Sequence, residues 1–401
     1  MKANPGGEIA PQDVIGREGF INNLWRCLES QSVLLVSERR FGKTTVIKQM
    51  HRNPKTGWLV IWRDVEGIKT ALEFAERVFR DISEHLSARK KAATNTLALL
   101  KLFGGAEVGG VIKLPAATQV PWKTLLEKAF DDLMEDKDSN VVFLWDEMPF
   151  MIQKIHDNEG PAAAMDVLDA LRGIRQTHSR VRMVYCGSIG MHHVTAALKQ
   201  AGHKNAALND LLTVPLPALA PDDAIELCRS LIQGEGLDCT DLMPSCKALI
   251  EAVDHVPFYV HSVMKELSVQ KKLVSKHTVQ NAIEESIVAE HDPWHLRHFE
   301  ERLASYYGTE LEPLAGALLD ALAVAQGPLS LEDLQQAIAS TVWLAETPTR
   351  SAILAGDLAP LRKLLVNLAQ DHYCEQVPGS GRYRFRFQLI KRWWVVHRGL
   401  A

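Results

Sequence analysis

Short, continuously apolar runs alternate along the first half of the chain with stretches whose apolar residues recur at helical spacing. VLLV at Val33–Val36, WLVIW at 58–62 and VVFLW at 141–145 are such runs, each bounded by polar residues or glycine, and VRMVYC at 181–186 reads as a fourth strand. A segment apolar on both faces is what a strand buried inside a parallel sheet requires. Around them the spacing predicts helices near Glu18–Ser30, from Lys43 to about residue 50, and over 70–86, 122–134 and 161–176. Leu24, Trp25 and Leu28 mark the buried stripe of the first. Strands and helices alternating at this spacing predict right-handed βαβ units, hence an α/β fold around a parallel sheet. Residues 90–121, Ala/Leu-rich and then Gly-rich, fit a hairpin or a mobile insertion.

Beyond residue 216 the pattern changes. Residues 218–305 carry helical segments at 221–231, 245–253, 256–267 and 279–288, with no convincing strand. Residues 306–401 change again. A helix over 314–325, a turn at Gln326-Gly327-Pro328, a helix opened by Ser330-Leu331-Glu332-Asp333 and a helix over 361–370 come first. Ser330 with an acid at the third helical position is a capping-box arrangement. Residues 373–377 and 382–387 then flank the turn Pro378-Gly379-Ser380-Gly381 as a hairpin. Helix, helix, helix, hairpin is the order of a winged helix. The expected organisation is a flexible lead-in at 1–13, an α/β core at 14–216, a helical lid at 217–305 and a small winged-helix α+β domain at 306–401.

Charge narrows the function classes. Lys and Arg number 45 against 49 Asp and Glu, a formal charge of −4. That excludes a uniformly basic coat for nucleic acid while leaving room for a local patch. No apolar run reaches membrane-span length and the first residues lack a hydrophobic core, so a cytoplasmic protein without a membrane partner is expected. The six cysteines never form CxxC, which argues against a disulfide framework or a structural zinc site.

The strongest chemical signal is Ser37-Glu38-Arg39-Arg40-Phe41-Gly42-Lys43-Thr44-Thr45, between a buried strand and a helix. Nucleotide phosphates need convergent backbone N–H donors, a positive charge and a hydroxyl for Mg²⁺. The loop can supply the donors, Lys43 the charge and Thr44 the hydroxyl, while Gly42 lets the backbone approach without a Cβ in the way. Ser37 stands where the G-x-x-x-x-G-K-[ST] pattern has its first glycine. VVFLW ends in Asp146-Glu147, two carboxylates at the strand edge where open α/β sheets bind ligands. Asp146 suits the Mg²⁺ shell and Glu147 the polarisation of an attacking water. VRMVYC leads into Gly187-Ser188, where Ser188 could hydrogen-bond a γ-phosphate or the water; a plain turn serine is the alternative. Arg175, on the preceding helix, is a candidate arginine finger toward a neighbouring subunit, against ordinary surface solvation.

Together these residues resemble the archaeal-type ATPases of the STAND branch of the AAA+-related P-loop group. Val14-Ile15-Gly16-Arg17-Glu18 is similar to the "GRE" box ahead of that group's P-loop, and Arg39-Arg40 before Gly42-Lys43 to its "RR-x-GK" loop. Cys186-Gly187-Ser188 and Val256-Pro257-Phe258-Tyr259 extend the likeness over about residues 14–300. The resemblance implies an ASCE-type sheet with the sensor strand between the P-loop and acidic strands. It also implies adenine contacts from Ile15, Gly16 and the lid residue Pro257, and binding by Arg39, Arg40, Phe41, Gly42, Lys43, Thr44 and Thr45. ATP and Mg²⁺ are the expected ligands, and a nucleotide-driven switch the expected function. The family's lid motif GxP reads His255-Val256-Pro257 here.

In the tail, Arg382, Arg384 and Arg386 alternate with Tyr383, Phe385 and Phe387, so a strand would put three guanidiniums on one face. Such a patch could bind duplex-DNA phosphates; the alternatives are a solvated strand face or arginines closing on the acidic ATPase core, and winged helices also serve as protein-docking or autoinhibitory modules. A protein partner or a homo-oligomer is a further expectation for the chain. His291, His295 and His298 share helical spacing, but a metal site would need a fourth ligand. A DNA-binding regulator in which ATP only modulates contact, and a nucleotide-binding scaffold without turnover, are the rival functions.

Overall fold

The computed structural model describes residues 1–86, 106–108, 111–113, 121–136 and 138–400. The chain divides into two compact units. One, the α/β unit, holds Glu18–Val36 and Lys43–Leu216; the other, the helical unit, holds Met1–Arg17, Ser37–Gly42 and Pro217–Ala401.

The α/β unit runs α1 (Glu18–Ser30), β1 (Val33–Val36), α2 (Lys43–Arg52), β2 (Trp58–Asp64), α3 (Ala71–His85), β3 (Ala106–Val108), β4 (Val111–Lys113), α4 (Trp122–Asp136), β5 (Asn140–Asp146), α5 (Met148–Glu159), α6 (Pro161–Thr177), β6 (Val181–Tyr185), α7 (Met191–Gln200) and β7 (Leu212–Pro215). Among the described residues five strands form one sheet in the order β2-β5-β6-β1-β7, every neighbouring pair parallel. The strand that leads into the SERRFGKTT loop, β1, is thus separated from the acidic strand β5 by β6, as the resemblance implied. β5 is buried from Val141 to Asp146, and Trp145 lies 5.3 Å from the Phe74 ring and 5.8 Å from that of Tyr185. Thr70 caps α3 by accepting from the Glu73 N–H at 3.1 Å. β3 and β4 pair as a hairpin within the stretch 90–121, whose other residues up to 120 lie outside the described ones.

The helical unit continues with α8 (Pro221–Glu235), α9 (Leu242–Ala252), α10 (Pro257–Val269), α11 (Lys276–Val288), α12 (His298–Val324), α13 (Leu331–Ser340), α14 (Pro348–Leu354), α15 (Ala359–Gln370), β8 (Cys374–Gln376), β9 (Tyr383–Phe385) and α16 (Gln388–His397). α12 crosses the expected boundary near residue 305 and kinks at Gly308, where φ is 65°. The Ser330 capping box forms as expected, with Ser330 Oγ accepting from Asp333 N at 3.1 Å and Asp333 Oδ2 from Ser330 N at 2.8 Å. β8 and β9 are antiparallel, and Leu329 adds a bridge to Tyr383 through two 2.8 Å backbone bonds.

The chain does not end on the hairpin. Residues 388–397 form α16, burying Leu389, Ile390, Trp393 and Trp394. Its N-terminus is capped by Asp254, whose carboxylate accepts from the N–H groups of Gln388 and Leu389 at 2.9 Å each. The N-terminal segment lies along the same unit: Ala3 N donates to Glu235 at 2.7 Å and Asn4 N to His261 Nδ1 at 3.2 Å.

Candidate functional site

The sequence-selected residues fall into two groups. Lys43, Thr44, Thr45, Asp146, Glu147, Ser188 and Arg175 belong to the α/β unit; Ile15, Gly16, Arg39, Arg40, Phe41, Gly42, Pro257, Arg382, Arg384 and Arg386 belong to the helical unit.

In the α/β unit, β1 leads by way of the loop to the first turn of α2, which carries Lys43, Thr44 and Thr45. Lys43 is only 8% exposed and Asp146, at the end of β5, only 3%. Thr44 Oγ1 donates to Asp146 Oδ2 at 2.7 Å, so residues 102 positions apart meet at one sheet edge. Asp146 Oδ1 accepts from Cys186 Sγ at 3.1 Å and from Glu147 N at 3.2 Å. Burial first, and the Asp146 charge second, push the Cys186 thiol well up, so it stays protonated and donates. One hydroxyl and one carboxylate within hydrogen-bond reach are hard oxygen donors of the kind Mg²⁺ takes.

Glu147 adopts a left-handed conformation, φ 57°, as the residue before α5. This turns its side chain back to Ser188, whose N–H and Oγ donate to Glu147 Oε2 at 2.9 and 2.8 Å. Burial raises the Glu147 pKa above the ordinary carboxylate value; Ser188 and Lys43 oppose the shift and Asp146 reinforces it. Gly187 makes the approach possible: a Cβ there would lie 2.6 Å from Pro149 Cδ and 3.3 Å from Glu147 Oε2. Ser188 therefore contacts the carboxylate expected to polarise water, a partner the sequence reading did not assign it.

Arg175 is not available as a finger. It is 8% exposed, its Nε and Nη2 donate to Asp210 at 2.7 and 2.8 Å, and its Nη1 donates to the Tyr185 hydroxyl at 2.6 Å. A buried guanidinium held by a carboxylate and a phenol serves the interior of its own unit.

In the helical unit the loop Ser37–Gly42 is heavily anchored. Arg17 of the GRE box donates from Nη2 to Phe41 O at 2.7 Å and from Nη1 to Pro217 O at 2.9 Å. Its pKa is lowered to about 10 by burial, against the opposing charge of Asp223. Gly16 abuts Asp223, whose Cβ would be 2.6 Å from an added methyl. Arg40, at φ 74°, stacks its guanidinium 3.9 Å from the Phe258 ring centroid. Pro257, the first residue of α10, precedes that platform. Glu38, to which the sequence reading gave no role, is 4% exposed and paired with Arg302.

The three tail arginines do not form one open face. β9 ends at Phe385, and Arg386 turns inward to donate to His372 Nδ1 at 2.8 Å. Arg384 is exposed but pairs with Glu375 at 2.6 Å; Arg382 donates to Pro328 O at 3.1 Å and lies 3.8 Å from Asp333. The strand is too short to carry the alternation to residue 386. His298, of the histidine trio, faces Glu38 at 3.5 Å.

No family model matches the chain, and no curated protein does. Among solved structures it is similar to a Walker-type ATPase of Pyrococcus abyssi, with a TM-score of 0.64 and 14% identity over 98% of this chain and 99% of that one. It is also similar to the Aeropyrum pernix ORC2 protein solved as ADPNP–ADP complexes, with a TM-score of 0.53 and 12% identity over 98% and 97% of the two chains. At these identities the likeness establishes the fold, that of the P-loop ATPases.

Proposed function

We propose that this protein is an ATP-binding, Mg²⁺-dependent ATPase switch that hydrolyses ATP to ADP and phosphate. The observation that carries the reading is the 2.7 Å contact between Thr44 and Asp146, which joins the end of the glycine-lysine loop to the acidic strand. The first turn of α2 presents N–H groups and the helix dipole to an anion, and Lys43 adds a full charge. Thr44 and Asp146 are the residues that would hold Mg²⁺, which when bound neutralises charge on the transferred phosphoryl group. Glu147 is the general base for water, and Ser188 fixes the direction its carboxylate faces. Adenine contacts are assigned to Ile15, Gly16 and Pro257, and further loop contacts to Arg39, Arg40, Phe41, Gly42 and Thr45.

The test is nucleotide binding and phosphate release by wild type, Lys43→Ala and Glu147→Gln. Lys43→Ala loses binding; Glu147→Gln binds ATP but releases no phosphate. Wild-type turnover in either variant sinks the assignment. A flat wild-type phosphate-release assay with intact binding would instead favour a nucleotide-binding scaffold.

A second reading is duplex-DNA contact through a winged-helix-like tail, with the STAND-type switch setting it. The Leu329–Tyr383 bridge beside the β8–β9 hairpin, with Arg382 and Arg384 exposed, favours it. It expects DNA affinity that falls steeply with salt and falls further when Arg382 and Arg384 are both changed to alanine. Salt-insensitive or absent binding removes it, and mass measured in each nucleotide state tests a second copy as partner.

A further inference from the structure

Glu38 is the only acid in SERRFGKTT. A carboxylate in a loop meant for phosphates opposes the charge of its ligand unless that carboxylate is neutralised elsewhere. Its Oε1 accepts from the Arg39 N–H at 2.7 Å and from Arg302 Nη1 at 3.2 Å, and its Oε2 from Arg302 Nη2 at 2.9 Å. The pairing is bidentate, the strongest geometry two such groups adopt.

Arg302, on α12 and 264 positions away in sequence, is itself locked. Its Nη2 also donates to Asp371 O at 3.1 Å, and its guanidinium lies 4.8 Å from the Phe299 ring and 5.0 Å from the Tyr373 ring. The Tyr307 hydroxyl donates to Asp371 Oδ2 at 2.6 Å, and the Tyr373 hydroxyl donates to Phe299 O. Burial alone would raise the Glu38 pKa, but Arg302, His298 and His372 hold it well below the ordinary carboxylate range. The carboxylate is therefore ionised, buried and satisfied. Phe41 reinforces the hold, with its ring 5.3 Å from that of Phe387.

We propose that Arg302 is a positioning residue for the phosphate loop. Through Glu38 it fixes the shape in which the loop meets a polyphosphate, so that the C-terminal helices set nucleotide affinity. The inference rests on the nucleotide reading above and deepens it. Removing the guanidinium takes away the bidentate partner and leaves a buried carboxylate held by the Arg39 N–H, with the His298 ring at 3.5 Å, and that loss is costly enough to drive the loop out of its present shape. Binding must then restore that shape, and affinity falls by the cost of doing so. Glu147 and Ser188 are untouched, so the loss falls on KM rather than kcat.

The experiment compares full-length wild type with Arg302→Met, Arg302→Lys, Glu38→Gln and the double variant Glu38→Gln/Arg302→Met. Two readouts are used: Kd and KM for MgATP, and the rate of trypsin cleavage after Arg39 and Arg40 without nucleotide, with fragments identified by mass. Arg302→Met is expected to raise Kd and KM about tenfold while kcat stays within about twofold. Trypsin should cut its loop faster than in wild type. Arg302→Lys falls between, and the double variant is no worse than Arg302→Met because the stranded charge is gone. Unchanged affinity and cleavage in folded Arg302→Met overturn the proposal, and so does tighter binding, which would make the pair a brake. Should Arg302→Met fail to fold, Glu38→Gln is judged by the same readouts. A wild type that binds no nucleotide ends the nucleotide reading, and the hold on the loop then stands or falls on the cleavage rates alone.

Discussion

Ser188 and Glu147 illustrate how much one short contact changes a residue's meaning. Burial raises the Glu147 pKa, and the two Ser188 donors, at 2.9 and 2.8 Å, stabilise the charged form against it. In the proposed role of general base Glu147 works only when ionised, so turnover should fall as pH drops through this raised value. The acid limb of the kcat profile is therefore expected above the usual glutamate range. Ser188→Ala, which removes one stabilising donor, should move that limb to higher pH; an unmoved limb would refute the contact's role. Gly187→Ala drives a methyl to 2.6 Å from Pro149. It should cost about 1–3 kcal/mol in denaturant unfolding and lower kcat as well, because the carboxylate must move. Lys43, Thr44, Asp146 and Glu147 stand out in the sequence because phosphate chemistry asks for such residue types beside strand ends, and the structure brings Thr44 and Asp146 into contact. Arg175 was misread for the opposite reason: its partner Asp210 lies in a segment with no pattern of its own.

At the scale of elements, long periodic or continuously apolar segments were legible and short ones were not. β1, β2 and β5 follow from unbroken apolar runs, and β6 from one interrupted only by Arg182. β7, Leu212–Pro215, was missed: it is a short edge strand ending in proline, and only its pairing with β1 makes it a strand. α5 was hidden because it opens with Met148-Pro149 directly after Asp146-Glu147, with no break between strand and helix. The expected hairpin stops at residue 387, and the sequence pattern gave α16 no element of its own. Its apolar residues fit either period locally, and the Asp254 cap that starts it lies 134 positions upstream. Asp254→Ala should free the two N–H groups and destabilise the helical unit by about 1–2 kcal/mol. Equilibrium denaturation checks this, with the Trp393 and Trp394 fluorescence of α16 as local probe.

For the molecule as a whole, pH dependence of stability has an identifiable contributor in His261. Burial lowers its pKa from 6.5 to about 4, with Asp13 opposing, and its Nδ1 accepts from Asn4 N at 3.2 Å. The unfolded chain takes up a proton near pH 6.5 that the folded protein refuses until about pH 4. Stability is therefore lost as pH falls through that window, by at most about 3 kcal/mol from this group. His261→Asn, which keeps an acceptor for Asn4, should flatten the profile between those limits relative to wild type. Identical slopes would show that another group is responsible.

The sequence by itself determined the parallel α/β core, and it carries the change of pattern after residue 216 and the residue types proposed to face a phosphate. Periodicity and the chemistry of an anion site are local properties, written within a few residues of one another. Only the tertiary structure decided which charges are spent inside the protein. Glu38 meets Arg302, Arg175 meets Asp210 and Arg386 meets His372 across separations the chain order does not encode. A buried charge takes whichever partner folding brings to it, and that partner, more than the residue's own type, fixes what it does.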